Sequence, residues 1–348
     1  MNRRSVTGLG AALALLIAVL AVVLAGKGDR ESGNLLLFPG LRDELNEVSR
    51  IVVTGPGNET IATLERGPEQ WTVTNRENYP ADIARIRQNL TALADARIIE
   101  EKTANPEFYE RLGVQGMESP SATGLQLTAS GSKQSVDLII GQTAPGGQGM
   151  TYVRPADEAT SLLVEASFNP GRTSGEWLDR SLTDIPAARI ESVTIEHPGG
   201  ETLHISRARK TAEEDSPAGD DAQDGLVEFV VAELPKGREL SYPGAANAVA
   251  GVLADLRLED VMARDALTAL PDKPVVARFA TTDGLVIEAS TWRVGNGTKV
   301  TFSASGEGAA AKEASRLNAR LGGWVYTLPD YKTEQLTRKP GELLAPTL

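Results

Sequence analysis

A five-residue phrase occurs twice in the chain, and any fold has to accommodate both copies. Leu93-Ala94-Asp95-Ala96-Arg97 returns as Leu253-Ala254-Asp255-Leu256-Arg257. Upstream, Pro56-Gly57-Asn58-Glu59-Thr60-Ile61 is echoed by Pro198-Gly199-Gly200-Glu201-Thr202-Leu203. The upstream phrases start 142 residues apart, at Pro56 and Pro198, and the downstream ones 160 apart, at Leu93 and Leu253. The difference of 18 is close to the length of a polar, acidic stretch in the second copy, Thr211 to Gly225. A duplicated module with one expanded loop explains both offsets.

Each copy reads as short antiparallel strands around the Pro-Gly turn, then a helix, then further strands. In the first, Ile51-Val52-Val53, Ile61 to Leu64 and Trp71-Thr72-Val73 are apolar runs set off by turn residues. Pro80 fits a first helical position, where its missing N–H costs nothing. Ile83, Ile86, Leu90 and Leu93 then follow at helical spacing on one face. Strands are expected around Leu125 to Leu127, Val136 to Ile140, Met150 to Val153 and Leu162 to Val164. In the second copy Val249, Val252, Leu253 and Leu256 supply the apolar helix face, and the strands close with Trp324 to Leu328. The expectation is an α+β fold: two tandem repeats of a β-meander sheet with a packed helix, preceded by an N-terminal transmembrane helix. The repeated Asp-x-Arg is expected to end each helix with a local charge pair.

The N-terminal segment bears on location. Arg3 and Arg4 precede an uncharged, mostly apolar run from Ser5 to Gly26. About 20 apolar residues at ~1.5 Å each span a ~30 Å hydrocarbon core. The run exceeds the length of a signal-peptide core, which favours a retained anchor over cleavage after Ala25. The organisation expected is therefore a cytoplasmic head (1–4), a transmembrane anchor (5–26), a juxtamembrane segment (27–48), module 1 (49–170), a linker (171–187), module 2 (188–330, with the acidic insert 211–225) and a C-terminal tail (331–348) lying along the surface. The short head stays inside, which leaves the body periplasmic at a bacterial inner membrane.

Composition narrows the chemistry. A net charge of −12 opposes phosphate and anionic lipid, so nucleic acid is not an expected partner. The absence of cysteine excludes disulfides and thiolate chemistry. His197 and His204 are the two histidines. With a Pro198-to-Glu201 turn they sit diagonally on one hairpin face near Glu196 and Glu201; solvated strand residues are the expected reading rather than a metal site. Glu100-Glu101 and Glu259-Asp260 occupy equivalent places in the two copies, which inheritance explains better than paired acid catalysis. Gly146-Gly147-Gln148-Gly149 lacks the Lys-Ser/Thr end of a phosphate loop. The run Glu213-Glu214-Asp215, with Asp220, Asp221 and Asp224, lacks the order of a calcium loop. Trp177, Trp292, Trp324 and Tyr326 are read as core and linker packing. No catalytic, cofactor or metal residue is assigned, and no enzymatic activity is expected.

Several phrases together carry a resemblance. Leu37-Phe38-Pro39-Gly40-Leu41, the Trp71 strand, Tyr79-Pro80-Ala81-Asp82 leading to Leu93-Ala94-Asp95-Ala96-Arg97, Glu100-Glu101-Lys102-Thr103 with Tyr109-Glu110-Arg111-Leu112-Gly113, and Trp177-Leu178-Asp179 before Asp184-Ile185-Pro186 resemble the DUF4340 family. The family has no catalytic residues to carry over. Its membrane-anchored members accompany gliding-motility-type ABC exporters, made of an ATPase, a permease and a large auxiliary extracytoplasmic subunit. The resemblance therefore implies a non-enzymatic accessory or scaffold subunit, with that permease and ATPase as partners. The alternative is an envelope module that holds a small ligand or glycan between the two modules.

Overall fold

The computed structural model describes residues 35–146, 149–208, 227–232, 238–242, 244–266, 273–295 and 297–345. They divide into two compact units. The first comprises the described residues up to Val73 together with Ala81–Trp177, and the second comprises Thr74–Pro80 with the described residues from Leu178 onward.

The first unit contains β1 (Leu35–Leu36), β2 (Arg50–Gly55), β3 (Glu59–Arg66), β4 (Trp71–Val73), β6 (Arg97–Glu101), β7 (Leu125–Ser130), β8 (Val136–Thr143), β9 (Met150–Pro155) and β10 (Leu162–Glu165). The short β5 (Tyr79–Pro80) falls in the segment that belongs to the second unit. The sheet order is β1-β6-β10-β9-β8-β7-β2-β3-β4, antiparallel throughout. Its register follows from alternation. Ile51 and Val53 of β2 stand opposite Ala129 and Leu127 of β7, and all four are buried. The helices are α1 (Leu41–Glu44), α2 (Ile83–Asp95) and α3 (Tyr109–Leu112). Asp82 caps α2, its side chain accepting a hydrogen bond from the Arg85 backbone N–H at 3.0 Å. Pro80 thus lies in β5 and outside the first turn of the helix, because the Asp82 cap fixes the start at Ile83, three residues later. Ile86, Leu90 and Leu93 turn inward as their spacing predicts.

The second unit contains β11 (Ser181–Thr183), β12 (Ile190–Glu196), β13 (Thr202–Arg207), β14 (Phe229–Val231), β15 (Leu256–Arg257), β16 (Asp260–Ala263), β17 (Val275–Thr281), β18 (Val286–Val294), β19 (Gly297–Ser305) and β20 (Trp324–Thr327). The main sheet runs β14-β13-β12-β17-β18-β19-β20-β16, and β11 pairs separately with β15. Strand for strand this order equals β4-β3-β2-β7-β8-β9-β10-β6 of the first unit. The helices are α4 (Ala245–Ala250), α5 (Ala309–Leu321) and α6 (Asp330–Leu336). α4 lies between β14 and β16 in sequence, as α2 lies between β4 and β6. α5 interrupts the connection from β19 to β20, which in the first unit is a short turn between β9 and β10.

The α+β expectation is not what the chain adopts. The described residues form mostly β-structure in three sheets, and the longest helices among them, α2 and α5, have 13 residues each. The second copy of the repeated phrase shows why the helical reading overreached. α4 stops at Ala250, capped by Gly251, whose N–H bonds the Asn247 carbonyl at 2.9 Å. Val252, Leu253 and Leu256 are fully buried, but they reach the core from turns and the short β15. Apolar spacing there reports burial, not a helix. The expected transmembrane segment 5–26 and the head before it lie outside the described residues. Among those described, no helix is long and apolar enough to cross a membrane.

Both ends of the described chain are packed. β1 pairs with β6, Leu35 opposite Ile98 and Leu36 opposite Arg97, and Leu41 is buried, so Leu35 to Leu41 docks on the sheet. The C-terminal segment, expected to lie along the surface, buries Thr333, Leu336 and Leu343, and Leu240 bridges to Leu344. The Lys332 ammonium donates to the carbonyls of Val252 and Ala254 at 2.8 and 2.9 Å, satisfying acceptors that the turn after α4 leaves open.

Candidate functional site

One concavity within the first unit is a groove of about 510 Å³. Three sequence-distant pieces build it: Leu45 and Asn46 after α1, the β3–β4 turn from Arg66 to Trp71, and α2 at Ile83, Ile86, Arg87, Leu90 and Thr91. Antiparallel pairing of β3 with β4 fixes the turn, Arg66 standing opposite Trp71, and the Asp82 cap fixes where α2 begins. The floor is apolar, with Trp71, Ile86 and Leu90 buried beneath it. The rim carries two guanidinium groups, Arg66 and Arg87, and one carboxylate, Glu69. Arg66 donates to the Asn46 carbonyl, which steadies it across the groove. Guanidinium donors beside an apolar floor are chemically complementary to an anion with an apolar body.

A Pro198-to-Glu201 turn would set His204 opposite Ile195 and His197 opposite Thr202, but the β12–β13 hairpin is shifted by one residue: His204 stands opposite Thr194, Glu196 stands opposite Thr202, and the His197 N–H bonds the Glu201 carbonyl. His204 is exposed, with its Nδ1 3.3 Å from the Thr194 hydroxyl, while His197 follows the parity of buried Val193 and Ile195 and donates to the Arg338 carbonyl at 3.4 Å. The two rings therefore face opposite ways, and among the described residues no group of three or more metal-ligating side chains converges. Glu100 and Glu101 are consecutive residues of β6 and point to opposite faces. Glu100 accepts from Lys102 at 2.6 Å, and Asp260 lies 3.3 Å from Arg76 within the second unit. Asp255 forms the expected local charge pair with Arg257 at 2.9 Å, but in a turn and not at a helix end, and Asp95, the last residue of α2, pairs with Arg42. Gly146 and Gly149 adopt positive φ at the β8–β9 turn. The acidic insert, including Glu213, Glu214, Asp215, Asp220, Asp221 and Asp224, lies outside the described residues.

Two buried polar arrangements escaped the sequence reading. In the first unit Asn89, on the inward side of α2, is fully buried; its amide donates to the carbonyls of Arg85 and Asn169 at 2.9 and 2.8 Å and accepts the Asn169 N–H at 2.9 Å. The same loop receives the Arg85 guanidinium, which also lies over Trp177. In the second unit Tyr79 stacks edge-on against Trp324, with centroids 4.8 Å apart, and the buried Tyr326 hydroxyl donates to the Leu321 carbonyl at 3.4 Å. Burial pushes both phenols far above their ordinary pKa, and the Asp179 charge adds to this for Tyr79. Trp177 and Tyr326 are thus core residues, as the sequence reading of the aromatics expects. An inward Asn in an apolar helical stripe was the one available signal for the first arrangement.

No curated protein and no solved structure matches the chain. A family model described as a domain of unknown function, DUF4340, matches residues 71–274, which spans β4 through the approach to β17 and includes both copies of the Leu-Ala-Asp phrase. The chain belongs to the DUF4340 family.

Proposed function

We propose that this protein is a non-enzymatic accessory subunit of an ABC-type export complex, tethered to the bacterial inner membrane through residues 5–26 with its body in the periplasm. The observation that carries the reading is the direct feed of the apolar N-terminal run into a sheet edge. Only eight residues, Lys27 to Asn34, separate that run from β1. Fully extended they reach about 26–29 Å, so the β1 edge works close to the bilayer, where a permease would be met. Edge strands support protein contacts by strand addition. β1 ends one sheet, with Leu35 exposed, and β14 ends the other, with Val230 exposed. The class of partner, an ATPase and a permease with an auxiliary extracytoplasmic subunit, is the one that the resemblance implies.

The cysteine-free sequence makes the location directly testable. A Tyr331→Cys variant places one thiol at a well-exposed position. Labelling of intact cells by a maleimide that crosses the outer but not the inner membrane is expected; labelling only after inner-membrane lysis would overturn the periplasmic placement. Deleting residues 5–26 is expected to abolish co-sedimentation with the transporter's ATPase, and retained co-sedimentation would oppose the tether.

A further inference from the structure

The apolar stripe of α2 is covered unevenly. Ile86, Leu90 and Leu93 are 3%, 8% and 0% exposed, yet Ile83, on the same stripe one turn earlier, is 41% exposed. A residue that helical spacing assigns to the core stands uncovered where the stripe opens into the groove above Trp71. The charge at this place also reverses that of the molecule. In a chain of net charge −12, the groove lining holds Arg66 and Arg87 against Glu69 alone. Arg87 has no hydrogen-bond or ion-pair partner among the described residues, and the Arg66 guanidinium uses only part of its donor capacity on Asn46. At about 510 Å³ the groove lies within the ~300–1,000 Å³ typical of small-molecule sites.

We infer that this groove binds an amphiphilic monoanion, an aliphatic chain ending in a carboxylate, such as a medium-chain fatty acid. The aliphatic body lies along Ile83, Leu45 and Trp71, and the carboxylate meets Arg87 and Arg66 at the rim. Removing Ile83 and its neighbours from water supplies the attraction. A planar guanidinium matches a carboxylate through paired N–H donors, which selects an anionic head over a neutral or cationic one.

The test uses the full-length protein in nanodiscs of neutral lipid, titrated with carboxyl-13C-labelled decanoate and followed by the carboxyl resonance. A saturable site is expected above the linear partitioning into lipid. Arg87→Ala should weaken it by about tenfold, as loss of a charge-assisted contact does. Ile83→Asp should abolish it, while decyltrimethylammonium should fail to displace decanoate. Both positions are exposed, so circular dichroism and melting should match the unaltered protein; Arg66→Ala provides an independent rim variant. Purely linear uptake, equal uptake by all variants, or displacement by the cationic amphiphile would each overturn the assignment.

Discussion

Replacing Asn89 tests whether α2 is held by its polar latch as well as by its apolar stripe. The side chain is fully buried and makes three hydrogen bonds, two as donor and one as acceptor. In Asn89→Ala the Asn169 carbonyl keeps the Arg85 guanidinium at 3.2 Å, but the Asn169 N–H loses its partner. One orphaned donor costs ~1–3 kcal/mol and two further lost bonds add a smaller amount, which gives about 2–3 kcal/mol. Asn89→Asp is the sharper probe, because it turns an acceptor toward the carbonyls of Arg85 and Asn169. The introduced carboxyl is held protonated in the fold, its folded pKa raised above the unfolded value of about 3.9. Its stability is then fully present below that unfolded value and lost as pH rises through the folded pKa. Urea unfolding by circular dichroism, at about pH 4 and about pH 7, should show the deficit of Asn89→Asp relative to the unaltered protein widening with pH and exceeding that of Asn89→Ala at the upper value. A deficit below ~0.5 kcal/mol for Asn89→Ala, or no widening for Asn89→Asp, would refute the latch.

Further expectations concern both units. Leu93→Ala and Leu253→Ala, at fully buried positions, should each cost about 2–5 kcal/mol by denaturant titration, although only the first lies in a helix. Gly124→Ala should cost about 1–3 kcal/mol or more, since a Cβ there would lie 2.2 Å from the Gly113 carbonyl oxygen and 2.8 Å from that of Ile140; a neutral melt would contradict the packing. The raised pKa of Tyr79 and Tyr326 means that their stabilisation is intact below the ordinary phenol value of 10.0 and is lost as pH rises through the folded values. Stability should therefore decline from about pH 10 upward, and Tyr326→Phe should make that decline shallower.

How much of this was legible in the sequence depends on the range of the forces involved. The β2–β3–β4 hairpins and the stripe of α2 follow from local alternation and spacing, and the structure contains them. The Leu-Ala-Asp phrase is more instructive. Its first copy ends α2 and its second is a turn, with Asp255 at φ 43°. Nearly identical pentapeptides take different backbones because Gly251 has already ended α4, so tertiary context decides what propensity leaves open. α5 was missed for the opposite reason. It buries only Ala310, Ala314 and Leu321, so it lacks a stripe of large apolar residues, although its Ala-, Lys-, Glu- and Arg-rich composition is a helix signal in itself. The histidine register depended on a one-residue choice of turn. The groove was not legible at all, because it arises only when residues 45–46, 66–71 and 83–91 are brought together.

Membership of a transport complex can be read out by purification from the native membrane. Full-length protein carrying an affinity tag is extracted in mild detergent, and its stable partners are quantified by mass spectrometry. A permease and an ATPase are expected in near-stoichiometric amounts, together with an N-terminal peptide that retains residues 5–26. Recovery of the intact, folded protein alone would contradict the accessory-subunit reading.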